Sequence, residues 1–166
     1  FFDRTLAFEG GARAAGIKTN LEMCSLPAPR LLEVVAPCLG HLDYLIINDF
    51  EVAALSQRPI RHGEDVDLRD CLANAKDVFD RSSVELLVVH FPRGAIAMQR
   101  GADPLVMPSV AVPKEAIAGS NGAGDAFASG ILYGIHQGWR LRDALQLAHS
   151  AAAASMRHIG TTDSIE

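Results

Sequence analysis

Two short runs of apolar residues, each flanked by helical patterns, constrain the fold of this chain more than any other feature. Asp43–Asn48 contains Tyr-Leu-Ile-Ile, and Glu85–His90 contains Leu-Leu-Val-Val. Continuously apolar runs of this length are typical of strands that are buried on both faces of a sheet. Further strands are predicted at Ile17–Glu22 and, as a hairpin, at Ala95–Gln99 and Leu105–Val112.

Helical patterns separate these strands. Gly16 suits the left-handed position after a first helix, and Pro27 and Pro29 suit the first turn of a second. The predicted helices cover residues 5–15, the segment from Pro27 to Val35, residues 49–56, 68–79 and 124–137, and a last helix from Leu141 to Ala152. Residues 57–65 form a polar loop. Strands that alternate with helices predict one α/β domain over residues 1–166, with a largely parallel sheet.

The composition excludes several classes of function. A net charge of −5 argues against a nucleic-acid partner. No apolar run is long enough to span a bilayer, which predicts a protein without membrane insertion. The 3 cysteines are odd in number and form no Cys-x-x-Cys pair, so reduced thiols and a cytoplasmic location are expected. The histidines show no spacing typical of a transition-metal site.

The segment Ala118–Phe127, Ala-Gly-Ser-Asn-Gly-Ala-Gly-Asp-Ala-Phe, carries the clearest chemistry. Small residues allow the backbone to approach an anion, and the helix that follows directs its free N–H groups at the same point. Gly122, Ala123 and Gly124 are therefore predicted to form an anion hole. Asp125, in the first helical turn, is predicted to accept a proton from an attacking hydroxyl.

Other interpretations of this segment are weaker. An ordinary glycine turn with Asp125 as a helix cap remains possible for the motif taken alone. A dinucleotide-binding fingerprint would need a third glycine where Phe127 stands, which also weighs against a nicotinamide-dependent oxidoreductase. A P-loop would need Gly-Lys-Ser/Thr.

The nine residues Gly122–Gly130, Gly-Ala-Gly-Asp-Ala-Phe-Ala-Ser-Gly, resemble the carboxyl-terminal signature of the ribokinase (PfkB) family of carbohydrate and nucleoside kinases. The resemblance implies a three-layer α/β sandwich that binds ATP and Mg²⁺ and phosphorylates a hydroxyl of a sugar or nucleoside. By this resemblance Asp125 is the catalytic base, and Gly122, Ala123 and Gly124 bind the γ-phosphate.

Three further segments fit the same family. Asn48-Asp-Phe-Glu51 matches its Asn-x-x-Glu motif, which governs the magnesium–phosphate arrangement, so Glu51 is expected to hold Mg²⁺ indirectly. The helix that begins Ala148-His149 is similar to the one that lines the adenine pocket, with His149 facing the nucleotide. Arg93 and Gly94 lie in the turn above the ATP phosphates. Taken singly, each also fits a structural role: a strand-end turn, a core histidine, a solvated arginine.

Two of the chain's departures from the family pattern bear most directly on function. Gly119-Ser-Asn121 replaces the usual Asp-Thr-Thr; Asn121 can still contact a phosphate, but Gly119 lacks the carboxylate that supports the family's monovalent-cation site. Members of the family are roughly twice as long, so the resemblance implies a fold truncated on its amino-terminal side. A sheet edge exposed in this way favours a homo-oligomer. It also keeps a second hypothesis open, a non-catalytic remnant that binds nucleotide or dimerises.

Overall fold

The computed structural model describes residues 11–24, 26–60 and 66–160. Their contacts group into two compact units. The first unit takes in the described residues up to Phe91 together with Ile96–Val106, and the second takes in Pro92–Ala95 together with the described residues from Met107 onward. The prediction of one domain over residues 1–166 stays a prediction.

The strands form a sheet in the order β1-β2-β3-β4-β5. They are β1 (Asn20–Leu21), β2 (Tyr44–Asn48), β3 (Leu86–Phe91), β4 (Gly94–Gln99) and β5 (Leu105–Pro108). β1 pairs with β2 in parallel, and β2 pairs with β3 in parallel, with Tyr44 opposite Leu86 and Asn48 opposite His90. Only two residues join β3 to β4, and a connection this short joins antiparallel strands. The sheet is therefore mixed, and the predicted α/β class is confirmed.

Two predicted strands are shorter in the structure. The strand expected at Ile17–Glu22 is only Asn20–Leu21. Just before this strand, the Thr19 N–H donates to the Asp43 carboxylate at 2.9 Å and not to a neighbouring strand. The strand expected at Leu105–Val112 ends at Pro108, because proline has no N–H to donate to a neighbouring strand.

Five helices are α1 (Ala28–Val35), α2 (Asp49–Ser56), α3 (Leu68–Arg81), α4 (Ala123–His136) and α5 (Leu141–Ser155). Residues 11–14 are also helical, and Gly16 has a φ of 71°, as predicted for a residue that follows a helix. Residues 5–10 of that predicted helix, and residues 61–65 of the predicted loop, lie outside the described residues. The sequence did not predict the 3-10 turns at Ala36–Cys38 and Lys114–Ala116.

The core of the first unit lies between the central strands and helices α2 and α3. Consecutive residues are buried in both central strands, Leu45–Ile47 in β2 and Leu86–Val89 in β3, so these strands are covered on both faces, as the apolar runs predicted. Arg100, at the end of β4, fastens this core to the end of α3. Its guanidinium donates to the carbonyl oxygens of Phe79 at 2.7 Å, Ser82 at 2.7 Å and Val84 at 3.0 Å. It also stacks on the Phe79 ring, 3.9 Å from the centroid.

In the second unit, α4 and α5 pack with their backbones in close approach. A Cβ on Gly134 would lie 2.5 Å from the Cβ of Ala144, and a Cβ on Gly130 would lie 2.6 Å from the Cα of Ala148. Only glycine fits at both positions. This contact fixes how the amino-terminal turn of α4 lies against α5.

Candidate active site

Helix α4 begins at a glycine turn. Gly122 is its N-cap residue with a φ of 78°, a conformation that costs glycine little and other residues more. The Gly122 carbonyl accepts the first helical hydrogen bond, from Ala126 at 2.9 Å. The Ala123 N–H donates to the Ser120 carbonyl at 3.3 Å. The N–H groups of Gly124 and Asp125 stand in the first turn, where the helix offers them no acceptor.

Asp125 is the third residue of α4, and its side chain is exposed. Asn121, in the turn before the helix, is exposed as well. A carboxylate therefore stands beside amides that can bind an anion. That pairing is what transfer of a phosphoryl group to a hydroxyl requires: a proton acceptor beside donors that stabilise charge on the transferred group.

The chain that leads into this turn is fastened to the end of α5. The N–H groups of Ala118 and Gly119 donate to the Met156 carbonyl at 2.9 Å and 3.3 Å. Gly119 lies close to the chain after α5, because a Cβ at this position would stand 3.6 Å from the His158 carbonyl. Gly119 offers no side-chain oxygen here, so the described residues do not fit the monovalent-cation site that the resemblance implies.

His149 is buried within the second unit, with 5% of its surface exposed. Its ring meets the Phe127 ring edge-on, with centroids 5.1 Å apart and planes at 71°. Burial lowers the His149 pKa, and a hydrogen bond to the backbone of Met107 offsets part of that effect. Among the described residues its Nε2 has no hydrogen-bond partner. The predicted contact of His149 with a nucleotide stays a prediction.

Arg93 and Gly94 lie where β3 turns into β4. The turn is closed by Ser109, whose N–H donates to the Arg93 carbonyl at 3.0 Å and whose hydroxyl donates to the Pro92 carbonyl at 2.9 Å. The Arg93 side chain is exposed, whereas Gly94 is buried. A contact with phosphate from this turn would therefore come from the Arg93 guanidinium.

Asn48 and Glu51 belong to the first unit and contact each other at the start of α2. The Glu51 N–H donates to Asn48 Oδ1 at 2.9 Å, and the Asn48 N–H donates to Glu51 Oε2 at 2.8 Å. This reciprocal pair is a capping box, which satisfies two helix-end donors. Burial raises the Glu51 pKa, and the neighbouring Asp49 adds to the effect. The structural interpretation of this motif is thus supported, and its magnesium role stays a prediction.

The donor set suits a metal that is held mainly by phosphate and water. Within residues 11–24, 26–60 and 66–160, no three His, Cys, Asp or Glu side chains gather around one point. Mg²⁺ commonly keeps several waters and takes only one or two carboxylates, so this finding is compatible with Glu51 as an indirect ligand. In the same ranges no helix has the length and apolar character needed to cross a membrane.

The structure brings together, within one unit, the Gly122–Asp125 turn and the buried His149. Two contributors were missed at the level of sequence. Phe127 had no assigned role, and neither did the Met156 carbonyl. One signal was available: Gly130 and Gly134 are four residues apart, as are Ala144 and Ala148 on the next helix, a spacing that places small residues on facing sides of two helices.

Two adenosine kinases are similar to this chain in sequence. Adenosine kinase 1 of Arabidopsis thaliana is 27% identical over an alignment of 151 residues, which covers 83% of this chain and 41% of that protein. Adenosine kinase of Schizosaccharomyces pombe is 27% identical over 125 residues, which are 75% of this chain and 36% of that protein. The chain therefore spans about two fifths of these relatives.

A solved structure shows the same fold. The Arabidopsis thaliana ribokinase complexed with ribose and ATP superposes with a TM-score of 0.77 at 17% identity, over 96% of this chain and 47% of that one. The predicted ribokinase-like fold is thereby confirmed. Residues 5–166, almost the whole chain, match the pfkB family carbohydrate kinase description. This chain belongs to the pfkB family of carbohydrate kinases.

Proposed function

We propose that this chain is the ATP-binding and catalytic part of a kinase that phosphorylates a hydroxyl group of a sugar or nucleoside. The observation that carries the proposal is the turn at Gly122, which places the exposed Asp125 carboxylate beside the first-turn amides of α4. Family membership supports the same chemistry, as do relatives that are adenosine kinases and a structural neighbour complexed with ribose and ATP.

In the proposed reaction Asp125 accepts the proton of the substrate hydroxyl. The hydroxyl oxygen forms a bond to the γ-phosphorus of ATP, while the bond from that phosphorus to the bridging oxygen of ADP breaks. The amides of Gly122, Ala123 and Gly124 donate to the transferred group, whose charge spreads over its outer oxygens. The Ala123 N–H has to leave the Ser120 carbonyl to take part, and that bond is long at 3.3 Å.

The remaining predicted residues are assigned around the phosphates. Mg²⁺, when bound, would neutralise charge on the β- and γ-phosphates. Glu51 would hold it through water, since the capping bond from Asn48 involves only Oε2 and leaves Oε1 to bind water. Asn121 would contact a phosphate oxygen. Arg93 would pair with the phosphates from the exposed β3–β4 turn.

The proposal is tested by separating ATP binding from transfer. Calorimetry measures ATP binding to the chain, and a coupled assay measures ADP release with ribose or adenosine as acceptor. Asp125→Ala is expected to abolish transfer and leave ATP affinity within a few-fold. Gly124→Leu is expected to weaken ATP binding strongly, because a side chain there fills the approach to the amides. Asp103→Ala, an exposed loop carboxylate, is the matched control.

An Asp125→Ala protein that kept most of its transfer rate would overturn the assignment of the base. Absence of ATP binding to the unaltered chain would overturn the proposal for this chain. This chain covers only 41% and 36% of the two adenosine kinases, and a shorter chain can lose ATP affinity for that reason alone. The same variants are therefore also measured in the full-length protein.

The second candidate, a dimerising remnant without transfer activity, has one structural observation in its favour. β1 stands at the end of the sheet formed by the described strands, with a neighbour on only one side. An unpaired strand edge can recruit another chain. Light scattering coupled to size exclusion decides between the two: a stable dimer that binds ATP without transfer supports the remnant, and transfer by the chain excludes it.

A further inference from the structure

We propose that His149 is a positioning residue, which holds the Gly122–Asp125 turn in its working orientation by packing against Phe127. The inference deepens the proposed function, and it rests on that function only for the identity of the turn as catalytic. It assigns to His149 a role other than contact with the nucleotide. The support comes from ring geometry, burial and the anchoring of the turn on both sides by one helix.

The ring contact lies close to the turn in sequence and in space. Phe127 follows Asp125 by two residues on α4 and is 2% exposed. Its ring meets His149 at 5.1 Å and 71°, the edge-to-face arrangement that aromatic pairs prefer. Since α4 is a continuous helix from Ala123 to His136, a change in the packing of Phe127 turns the backbone that carries Asp125.

The other side of the turn is anchored by the same helix. The amides of Ala118 and Gly119 donate to the carbonyl of Met156, which immediately follows α5. His149 and Met156 are thus the two points at which α5 fixes the segment between residues 118 and 127. At 1.5 Å per residue they lie roughly 10 Å apart along the helix axis. Loss of the first point leaves the Met156 anchor and the close approach of Gly130 to Ala148, which lies three residues further from the turn along α4 than Phe127 does.

His149 is itself held in place. A hydrogen bond to the backbone of Met107 fixes the ring, and Nε2 is buried without a partner. A buried atom of this kind has no surface to offer to a nucleotide. It also makes protonation of the ring unfavourable, because the new N–H would be buried without an acceptor. The pKa of His149 is accordingly lowered, with burial as the largest cause.

Burial is the cause of that lowered pKa, and the Met107 bond opposes it. β5 contributes Met107 to the contact. The titratable residues on the two helices that meet at this ring are Asp125, Tyr133 and His136 on α4, and Arg142 and Asp143 on α5. Protonation of His149 at acidic pH therefore introduces a charge into an apolar contact. We expect it to displace Phe127 and the turn together.

The decisive experiment is an NMR titration of the chain between pH 5 and 8. The ¹⁵N amide signals of Gly124 and Asp125 are followed alongside the ring signals of His149. We expect both amides to shift with the midpoint of the His149 ring and to lose that shift in His149→Phe, which keeps an aromatic ring that does not titrate. His136→Asn, which removes an exposed histidine from the last turn of α4, should leave the coupled shift unchanged. Amide shifts that persist in His149→Phe would overturn the proposal.

Kinetics gives a second readout that separates positioning from nucleotide contact. His149→Ala is expected to lower kcat by up to about 100-fold, the cost of misplacing a reacting group by about 1 Å, with a smaller change in KM for ATP. His149→Phe is expected to recover part of kcat. It should also abolish the fall in kcat that protonation of His149 causes at acidic pH. A rise in KM for ATP with kcat retained in both variants would assign His149 to the nucleotide and overturn the positioning role.

The two readouts keep failure of this inference distinct from failure of the proposed function. The amide titration requires no phosphoryl transfer, so it tests the coupling even in a chain that shows no turnover. An unaltered chain that transfers phosphate, with His149 variants that match it in kcat and in amide shifts, refutes the inference alone. A fall in melting temperature with no change in either readout would show a purely structural histidine and would likewise refute it.

Discussion

A Cβ on Gly130 would lie 2.6 Å from the Cα and 2.8 Å from the backbone nitrogen of Ala148. Both contacts are with backbone, which cannot rotate aside as a side chain can. Gly130 is also the last residue of the nine-residue segment that resembles the family signature. Its requirement for glycine therefore has a packing cause: α5 has to approach α4 this closely to reach the turn at Gly122.

Gly130→Ala is accordingly expected to force α4 and α5 apart and to lower the free energy of unfolding by about 1–3 kcal/mol. Urea denaturation measures the change. Adding Ala148→Gly should not restore stability, because the two shortest contacts are with the backbone. Gly40→Ala is the control: nothing lies within 4 Å of a Cβ there, so a change of roughly 0.5 kcal/mol or less is expected. Equal effects at positions 130 and 40 would contradict the close approach.

The helix-capping role of Glu51 and its proposed role in holding Mg²⁺ can be tested separately. Glu51→Gln retains an oxygen that can accept from the Asn48 N–H, because glutamine also serves at the third position of a capping box. Glu51→Ala removes that acceptor and is expected to cost about 1 kcal/mol. Both variants remove the charge proposed to hold Mg²⁺, so both should lose transfer activity. A Glu51→Gln protein with full magnesium-dependent transfer would refute the metal role.

Because the pKa of Glu51 is raised, the difference in stability between Glu51→Gln and the unaltered chain should depend on pH. A carboxyl whose pKa is higher in the folded state stabilises the fold below its ordinary pKa and loses that stabilisation as it ionises. Ionised Glu51 therefore lowers stability above its ordinary pKa of 4.5. The free energy of unfolding of Glu51→Gln, relative to the unaltered chain, should rise between about pH 4 and pH 7. Thermal unfolding across that range measures it, and a constant difference would contradict the burial of Glu51.

The strands and helices could be predicted where the local sequence alone determines their position. β2 and β3 follow from their apolar runs, and the predicted ends were correct to within one residue. Gly16 was recognised from the end of a helical pattern. The strand at Ile17–Glu22 was predicted too long because Thr19 bonds to the carboxylate of Asp43, 24 positions away. A contact between residues so far apart in the chain cannot be predicted from the local sequence.

In the candidate site, too, the features set by local sequence could be predicted and those set by distant contacts could not. Residues 118–127 form one continuous segment, so its glycine turn and the position of Asp125 at the third residue of α4 could be predicted. The contact of His149 with Phe127 joins two helices, and it depends on how closely Gly130 lets them approach. The bonds of Arg100 could not be predicted for the same reason. Its position in the hairpin loop was predicted, but its guanidinium donates to carbonyls 16 to 21 positions earlier in the chain.

Arg100 is expected to contribute substantially to the stability of the first unit. Hydrogen bonds from a charged group to carbonyl oxygens contribute about 1.5–3 kcal/mol, so Arg100→Ala should lower the free energy of unfolding by roughly 2 kcal/mol. Arg100→Lys should recover only part of this loss, since an ammonium group lacks the planar fork that reaches three carbonyls. Urea denaturation provides the measurement, with the exposed Arg69→Ala as control. Full recovery in Arg100→Lys would show that charge alone matters.

Asp43 joins the starts of β1, β2 and β3. Its carboxylate accepts from the Thr19 N–H at 2.9 Å and from Lys18 Nζ at 3.0 Å, and Lys18 also pairs with Glu85. Burial raises the Asp43 pKa, but the bonds from Thr19 and Lys18 more than offset that effect, and the pKa lies below its ordinary value. Ionised Asp43 therefore stabilises the fold.

This stabilisation is present above the ordinary pKa of 3.8 and is lost as pH falls below it. Asp43→Asn should lower the free energy of unfolding at pH 7 by about 1–3 kcal/mol, because the charge and one acceptor oxygen are lost to the buried Thr19 and the half-exposed Lys18. The difference from the unaltered chain should shrink as pH falls below about 4, where the unaltered carboxyl is protonated as well. Asp80→Asn, which breaks only the exposed pair with Lys76, should change stability by less than about 0.5 kcal/mol. A deficit in Asp43→Asn that stayed constant down to pH 2 would show that the geometry of the side chain, and not its charge, joins the three strands.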